Sequence, residues 1–260
     1  MRIKANGITF KCEIEGPADA PWLVFSNSLA TNLSMWDPQV AELKRSFRLL
    51  RYDQRGHGGT DAPAGRYSFA TLVADALALF DALHIERAHF CGLSMGGATA
   101  LGLTELHPGR VDRVVVCDSP AMSTPATARQ WEERIAVAQK GGLEPLVEST
   151  MARWFPPETL AANPPHLEKV RQMIRTTPVN GFIGCAAALA DHDYNSAVSA
   201  VTRPVLFVAG SKDGVTPAAM KDMSVRLKGS RYVELEGAGH ISNLDRPAEF
   251  TRAVGEFLGA

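Results

Sequence analysis

His89-Phe90-Cys91-Gly92-Leu93-Ser94-Met95-Gly96-Gly97 is the stretch from which the fold is read. Ala88 to Cys91 is an apolar run of strand length, while Ala98 to Leu106, rich in Ala and Leu and stopped by Pro108, has helical character. Between them, Gly92-Leu93-Ser94-Met95-Gly96 has the form of a nucleophile elbow. A serine on so tight a strand-to-helix turn sits in strained backbone, with its hydroxyl clear of the sheet. Two positions to either side, a Cβ would fall where strand and helix nearly touch, so glycine stands there. The next backbone N–H lies at a helix N-terminus, where the dipole favours developing negative charge. A glycine-rich turn that happens to hold a serine carries little weight alone. The strand before it and the helix after it make Ser94 a candidate nucleophile.

Outward from this point, strands and helices alternate. Asn6-Gly7 separates Arg2–Ala5 from Ile8–Glu15 and predicts a hairpin. Trp22 to Phe25 and Phe47 to Asp53 read as strands, with a short helix up to Lys44 between them. Phe69 to Leu83 repeats apolar residues at helical spacing, and Val111 to Cys117 is a buried strand. This alternation predicts an α/β fold, a mostly parallel sheet with helices on both faces. After Asp118 the β-branched runs stop. Helical segments (128–140, 143–154, 167–176, 181–190) follow, separated by Pro125, Pro156-Pro157, Pro164-Pro165 and Pro178. Strands resume at 205–209 and 231–235, and a helix from Pro247 to Leu258 closes the chain. The organisation expected is a core of residues 1–118 and 199–260 with a helical cap, 119–198, over the carboxyl edge of the sheet, where open α/β folds bind ligands.

The composition excludes several functions. The 260 residues are 45% hydrophobic and 21% charged with a formal net charge of -1, so no basic surplus points to nucleic acid. No apolar run approaches membrane-spanning length, and the first residues lack a signal-peptide core. Cys12, Cys91, Cys117 and Cys185 are scattered without a C-x-x-C pair, which suggests buried thiols in a reducing compartment and a cytoplasmic protein. Nothing in the sequence speaks to oligomeric state.

A serine nucleophile needs a base, and the base an orienting acid. Of seven histidines, His84 and His107 sit near helix C-termini, His89 opens the elbow strand, and His166 and His192 lie in the cap. His57, in a glycine-dense loop, fits a hydrogen-bonding turn role. His240, in Gly237-Ala238-Gly239-His240, directly follows the last strand among small residues that leave its ring free, and is the expected base. None of these histidines has metal-ligand spacing beside a carboxylate, so no metal is expected. For the acid, Asp213 follows the strand 205–209, with Asp118, after strand 111–117, as its rival. The order Ser94, Asp213, His240 favours Asp213.

With these residues assembled, the chain resembles the α/β-hydrolases, and over nearly its full length the 3-oxoadipate enol-lactonases. The resemblance is carried by Phe25-Ser26-Asn27-Ser28-Leu29-Ala30-Thr31 with Trp36-Asp37-Pro38-Gln39, by Tyr52-Asp53-Gln54-Arg55-Gly56-His57-Gly58, by the elbow, and by Gly237-Ala238-Gly239-His240. Most α/β-hydrolases carry His-Gly where this chain has Asn27-Ser28, a departure shared with the enol-lactonases. The resemblance implies an oxyanion hole from the backbone N–H groups of Leu29 and Met95. It implies a small-molecule lactone bearing a carboxymethyl group, opened to 3-oxoadipate in aromatic catabolism without a cofactor. Carboxylesterases, C–C hydrolases and cofactor-free haloperoxidases share the same triad and cap, and some relatives are lactone-binding receptors with little turnover.

The carboxylate of such a substrate requires a cation, because an uncompensated buried carboxylate costs several kcal/mol. Trp131 and Arg134, at i and i+3 on one predicted cap helix, share a face and are the expected substrate contacts, with Trp154 as a further wall and Lys212 as the alternative cation.

Overall fold

The computed structural model describes residues 1–260, the surroundings of the Ala197 side chain excepted. Eight strands form one sheet in the order β1-β2-β4-β3-β5-β6-β7-β8. They are β1 (Arg2–Ala5), β2 (Ile8–Glu15), β3 (Trp22–Ser26), β4 (Arg48–Tyr52), β5 (Ala88–Leu93), β6 (Val111–Cys117), β7 (Val205–Gly210) and β8 (Arg231–Leu235). β1 and β2 pair antiparallel across the Asn6-Gly7 turn, where both residues take positive φ (42° and 76°) as a two-residue hairpin requires. β2 is also antiparallel to β4, and every pairing from β4 through β3 to β8 is parallel.

Period-two alternation sends each strand's apolar residues to both faces. Leu23, Phe25, Cys91, Leu93, Val115 and Val208 share one core with α1 (Asp37–Leu43), α11 (Pro247–Leu258) and the inner faces of the helical insert. Val24, Phe90, Val114, Val116 and Phe207 face the other core, under α2 (Phe69–Ala82), α3 (Met95–Leu106) and α9 (Thr216–Arg226). All four cysteines are buried and free. Among the described residues, no helix is long and apolar enough to cross a membrane.

Between β6 and β7 lie α4 (Pro125–Gly141), α5 (Val147–Trp154), α6 (Pro157–Ala162), α7 (Pro165–Thr176) and α8 (Val179–Asp191). α4 starts earlier than its apolar spacing suggests because Thr124 caps it, its hydroxyl accepting the Thr127 N–H. The segment expected as one helix from Leu143 opens instead with a 3-10 turn, Glu144–Leu146, around Pro145. α6 is a single short helix inside a region read as a proline joint. α9 also escaped the sequence reading, since it is largely polar and drives only Met220 and Met223 deep into the core. α10 (Ser242–Asp245), which follows β8 and directly precedes α11, has no counterpart in the sequence reading either.

Candidate active site

Backbone geometry sets Ser94 apart before any chemistry is considered. It sits between β5 and α3 at φ 56°, ψ -113°, a strained conformation for a residue with a Cβ. The flanking glycines are steric necessities: a Cβ on Gly92 would lie 2.0 Å from the Gly96 carbonyl oxygen, and one on Gly96 2.0 Å from that of Ser26. The Ser94 N–H is tied to the Cys117 carbonyl at 2.8 Å, locking the elbow to β6.

Ser94, His240 and Asp213, far apart in sequence, meet here. Ser94 Oγ lies 2.9 Å from His240 Nε2, and His240 Nδ1 lies 2.8 Å from Asp213 Oδ2. The two loops carrying acid and base touch through backbone, since a Cβ on Gly210 would stand 2.2 Å from the Gly239 carbonyl oxygen. His240 is further held by its N–H, which donates to the Trp154 carbonyl at 2.8 Å. Asp118 does not reach the imidazole. One of its carboxyl oxygens accepts the Gly210 N–H at 2.8 Å and the other accepts the Ser242 hydroxyl. Burial pushes the Asp118 carboxyl well above its ordinary range, and the charge of Asp213 pushes it the same way.

Met95 is the first residue of α3 and Leu29 lies in the turn after β3, and the N–H of neither has an acceptor among the described hydrogen bonds. His57, a turn residue in the sequence reading, is fully buried and hydrogen-bonds the Ala30 N–H beside Leu29.

A cavity of about 250 Å³ opens over Ser94 and His240, with Trp131, Arg153, Leu189 and His192 of the helical insert among its walls. Of the expected substrate contacts, only Trp131 lines it. Arg134 does not: its guanidinium donates to the Thr150 hydroxyl and packs at 5.9 Å from the Trp131 ring centroid, outside the lining. The bond to Thr150 of α5 thus holds Arg134 away from the cavity lining. Trp154 is no wall either, because it stacks on the imidazole of His240. Lys212 is exposed and not part of the lining.

The cation in the cavity is Arg153, a residue the sequence reading passed over. Its guanidinium carbon stands 4.9 Å from the Trp131 ring centroid, and among the described residues no carboxylate pairs with it. Although exposed to solvent, it forms part of the cavity wall beside Trp131. Desolvation there lowers its pKa, against a smaller pull from Asp213 in the other direction. Arg134 is pushed down to about 10, chiefly by desolvation and then by the charge of Arg153. The only local signal for Arg153 is its position next to Trp154 in the last turn of a helix, which many surface arginines share.

The α/β-hydrolase fold profile matches residues 21–247 of this sequence. The chain belongs to the α/β-hydrolase family. This hydrolase is 37% identical over 252 residues to 3-oxoadipate enol-lactonase 2 of Acinetobacter baylyi, covering 97% of this chain and 94% of that one. Among solved structures it resembles the enol-lactonase of Burkholderia xenovorans, with 38% identity, a TM-score of 0.96 and full coverage of both chains. It also superposes on a malate-bound thermophilic esterase of Thermogutta terrifontis, with 25% identity, a TM-score of 0.94, and 99% and 98% of the two chains covered.

Proposed function

We propose that this α/β hydrolase opens a small enol-lactone bearing a carboxylate, 3-oxoadipate enol-lactone, to 3-oxoadipate, as part of aromatic catabolism. The observation that carries this reading is the unpaired Arg153 on Trp131, within the same small cavity as Ser94 and His240. A guanidinium without an acidic partner suits a planar carboxylate, which it can grip through both oxygens, while the indole offers a flat apolar wall to the ring. Similarity to two enol-lactonases supports the choice of lactone.

In this reading Ser94 attacks the ring carbonyl while His240 Nε2 takes its proton. Asp213 fixes the tautomer of the imidazole and steadies the imidazolium. The Leu29 and Met95 N–H groups receive the oxyanion, each such donor being worth roughly 3–4 kcal/mol in comparable sites. Collapse of the tetrahedral adduct breaks the ring C–O bond. The departing oxygen is an enolate, a far better leaving group than an alkoxide; it takes the proton held by the His240 imidazolium and ketonises, which returns His240 to its neutral form. Water, deprotonated by His240, then releases the acid from Ser94.

The test is multiple-turnover hydrolysis of 3-oxoadipate enol-lactone beside a neutral ester and a neutral lactone of similar size. A kcat/KM for the carboxylate-bearing lactone at least about 100-fold above both neutral compounds is expected, equivalent to about 2.7 kcal/mol of discrimination. Equal values would reduce the reading to a general carboxylesterase, and a halt after about one equivalent would point to a lactone receptor.

A further inference from the structure

The turn that carries Leu29 is gripped from outside by a second loop. Asp53, Gln54 and His57, which follow β4, are all buried and all aim at it. Asp53 Oδ1 accepts the Leu33 N–H at 2.7 Å, Gln54 Nε2 donates to the Asn27 carbonyl, and His57 Nε2 lies 2.9 Å from the Ala30 nitrogen. Ala30 needs such a restraint. It holds φ at 57° in the left-handed region, which a residue with a Cβ adopts only under constraint from its surroundings. Inside the turn, the Asn27 amide donates to the carbonyls of Ser28 and Thr31, both at 3.2 Å, so the segment is braced on two sides.

The hydrogen bond from Ala30 dictates the tautomer of His57. A backbone N–H can only donate, so Nε2 must carry the lone pair and Nδ1 the proton. Nδ1 lies 3.0 Å from the Arg55 carbonyl, which accepts that proton. Arg55 is anchored in turn by Asp75, at 2.8 Å and 2.6 Å to its two carboxyl oxygens. Gly56 is pressed against the insert: a Cβ there would lie 2.3 Å from the Cα of Gly181 in α8. The whole chain of contacts has one arrangement, and it ends at the peptide joining Leu29 to Ala30.

We infer that His57 is a positioning residue for the oxyanion hole, its unprotonated Nε2 fixing the Leu29–Ala30 turn so that the Leu29 N–H is held where charge develops. The inference rests on Leu29 being an oxyanion donor, as in the proposed mechanism, but not on the identity of the substrate. His57 touches neither nucleophile nor substrate and exchanges no proton in the reaction. Its buried neutral ring spares the catalytic step the cost of ordering a mobile turn.

The experiment uses p-nitrophenyl acetate, a neutral ester, with n-butylboronic acid as a tetrahedral-adduct probe. His57→Phe keeps the ring but loses the acceptor, and should lower kcat by about 30- to 300-fold with KM little changed, a loss in the range seen on removing one oxyanion donor. Boronate affinity should fall by at least about tenfold. His57→Gln, whose carbonyl oxygen can reach the site of Nε2, should recover most of both losses. A folded His57→Phe with parental kcat and boronate affinity overturns the inference, as does a His57→Gln no better than His57→Phe. Nitrogen-15 NMR of the unmodified protein tests it without any variant: an imidazole protonated at Nε2 rules it out. If instead Ser94→Ala left the parental rate intact, the hydrolytic mechanism itself would fall, a result no His57 variant can mimic.

Discussion

Trp154 lies nearly flat against His240, with ring centroids 6.2 Å apart and planes inclined by 24°, while its carbonyl accepts the His240 N–H. The last turn of α5 therefore serves as a template for the loop carrying the base. Gly239 is part of the same fit, because a Cβ there would stand 2.2 Å from the Trp154 carbonyl oxygen. The helical insert shapes the reacting groups as well as the cavity above them.

Replacing the indole tests this coupling. Trp154→Ala should lower kcat on charged and neutral substrates alike, by about tenfold or more, through a misplaced imidazole. A change confined to KM, in steady-state assays on both substrate types, would make Trp154 a substrate wall instead.

Ser94→Ala and His240→Ala should each cut kcat by at least about 10⁴-fold while the far-UV CD spectrum and Tm stay near parental. Groups that act as a unit are not additive, so the double variant should be little worse than either single one. More than a few per cent residual activity in Ser94→Ala would remove it as the nucleophile.

Asp213→Asn should lower kcat by about 10⁴-fold, since the amide cannot hold the imidazole in the needed tautomer. Asp118→Asn should cost far less, because an amide oxygen can still accept the Gly210 N–H that Asp118 holds at 2.8 Å. Parallel kinetics on the two variants decide the matter, and the opposite ranking would move the acid to β6.

Arg153→Gln should reduce kcat/KM for the carboxylate-bearing lactone by about 10- to 100-fold, or about 1.4–2.7 kcal/mol, and leave a neutral ester almost untouched. Arg134→Ala, which loses a bond to Thr150 and a contact with Trp131, should affect both substrates equally if at all. Equal losses for Arg153→Gln on both compounds would deny it the carboxylate.

The neutral state of His57 has a signature in stability. Burial pushes its pKa from an ordinary 6.5 down to about 4. The unfolded chain therefore binds the proton first, and the folded state loses stability as pH falls from about 6.5 toward 4, by up to about 3 kcal/mol. His57→Gln lacks this loss, while the other titrating groups are common to both proteins. Chemical denaturation from pH 7 to 4 should thus shrink the parent's advantage over His57→Gln. A gap that is constant with pH would mean that His57 is not held neutral.

Much of the molecule was legible in the sequence because the relevant physics is local. Gly92 and Gly96 around Ser94 report a turn too tight for a Cβ, Asn6-Gly7 reports a hairpin, and apolar periodicity separates strands from helices. Chain order and small flanking residues pointed to Asp213 and His240; in the folded chain Asp213 is hydrogen-bonded to one ring nitrogen of His240 and Ser94 to the other. Arg134 and Arg153 mark the limit. Helical spacing correctly put Arg134 on the side of Trp131, yet whether a side chain on that side meets the cavity or a neighbouring helix depends on how α4, α5 and α8 pack. That packing turned Arg134 toward Thr150, brought Arg153 over the Trp131 indole at the cavity wall, and set Trp154 against His240. His57 is similar: its turn role was readable, but the partner it restrains lies 27 residues away in sequence. Periodicity records which residues leave water, whereas the partner each one meets is a property of three-dimensional packing alone.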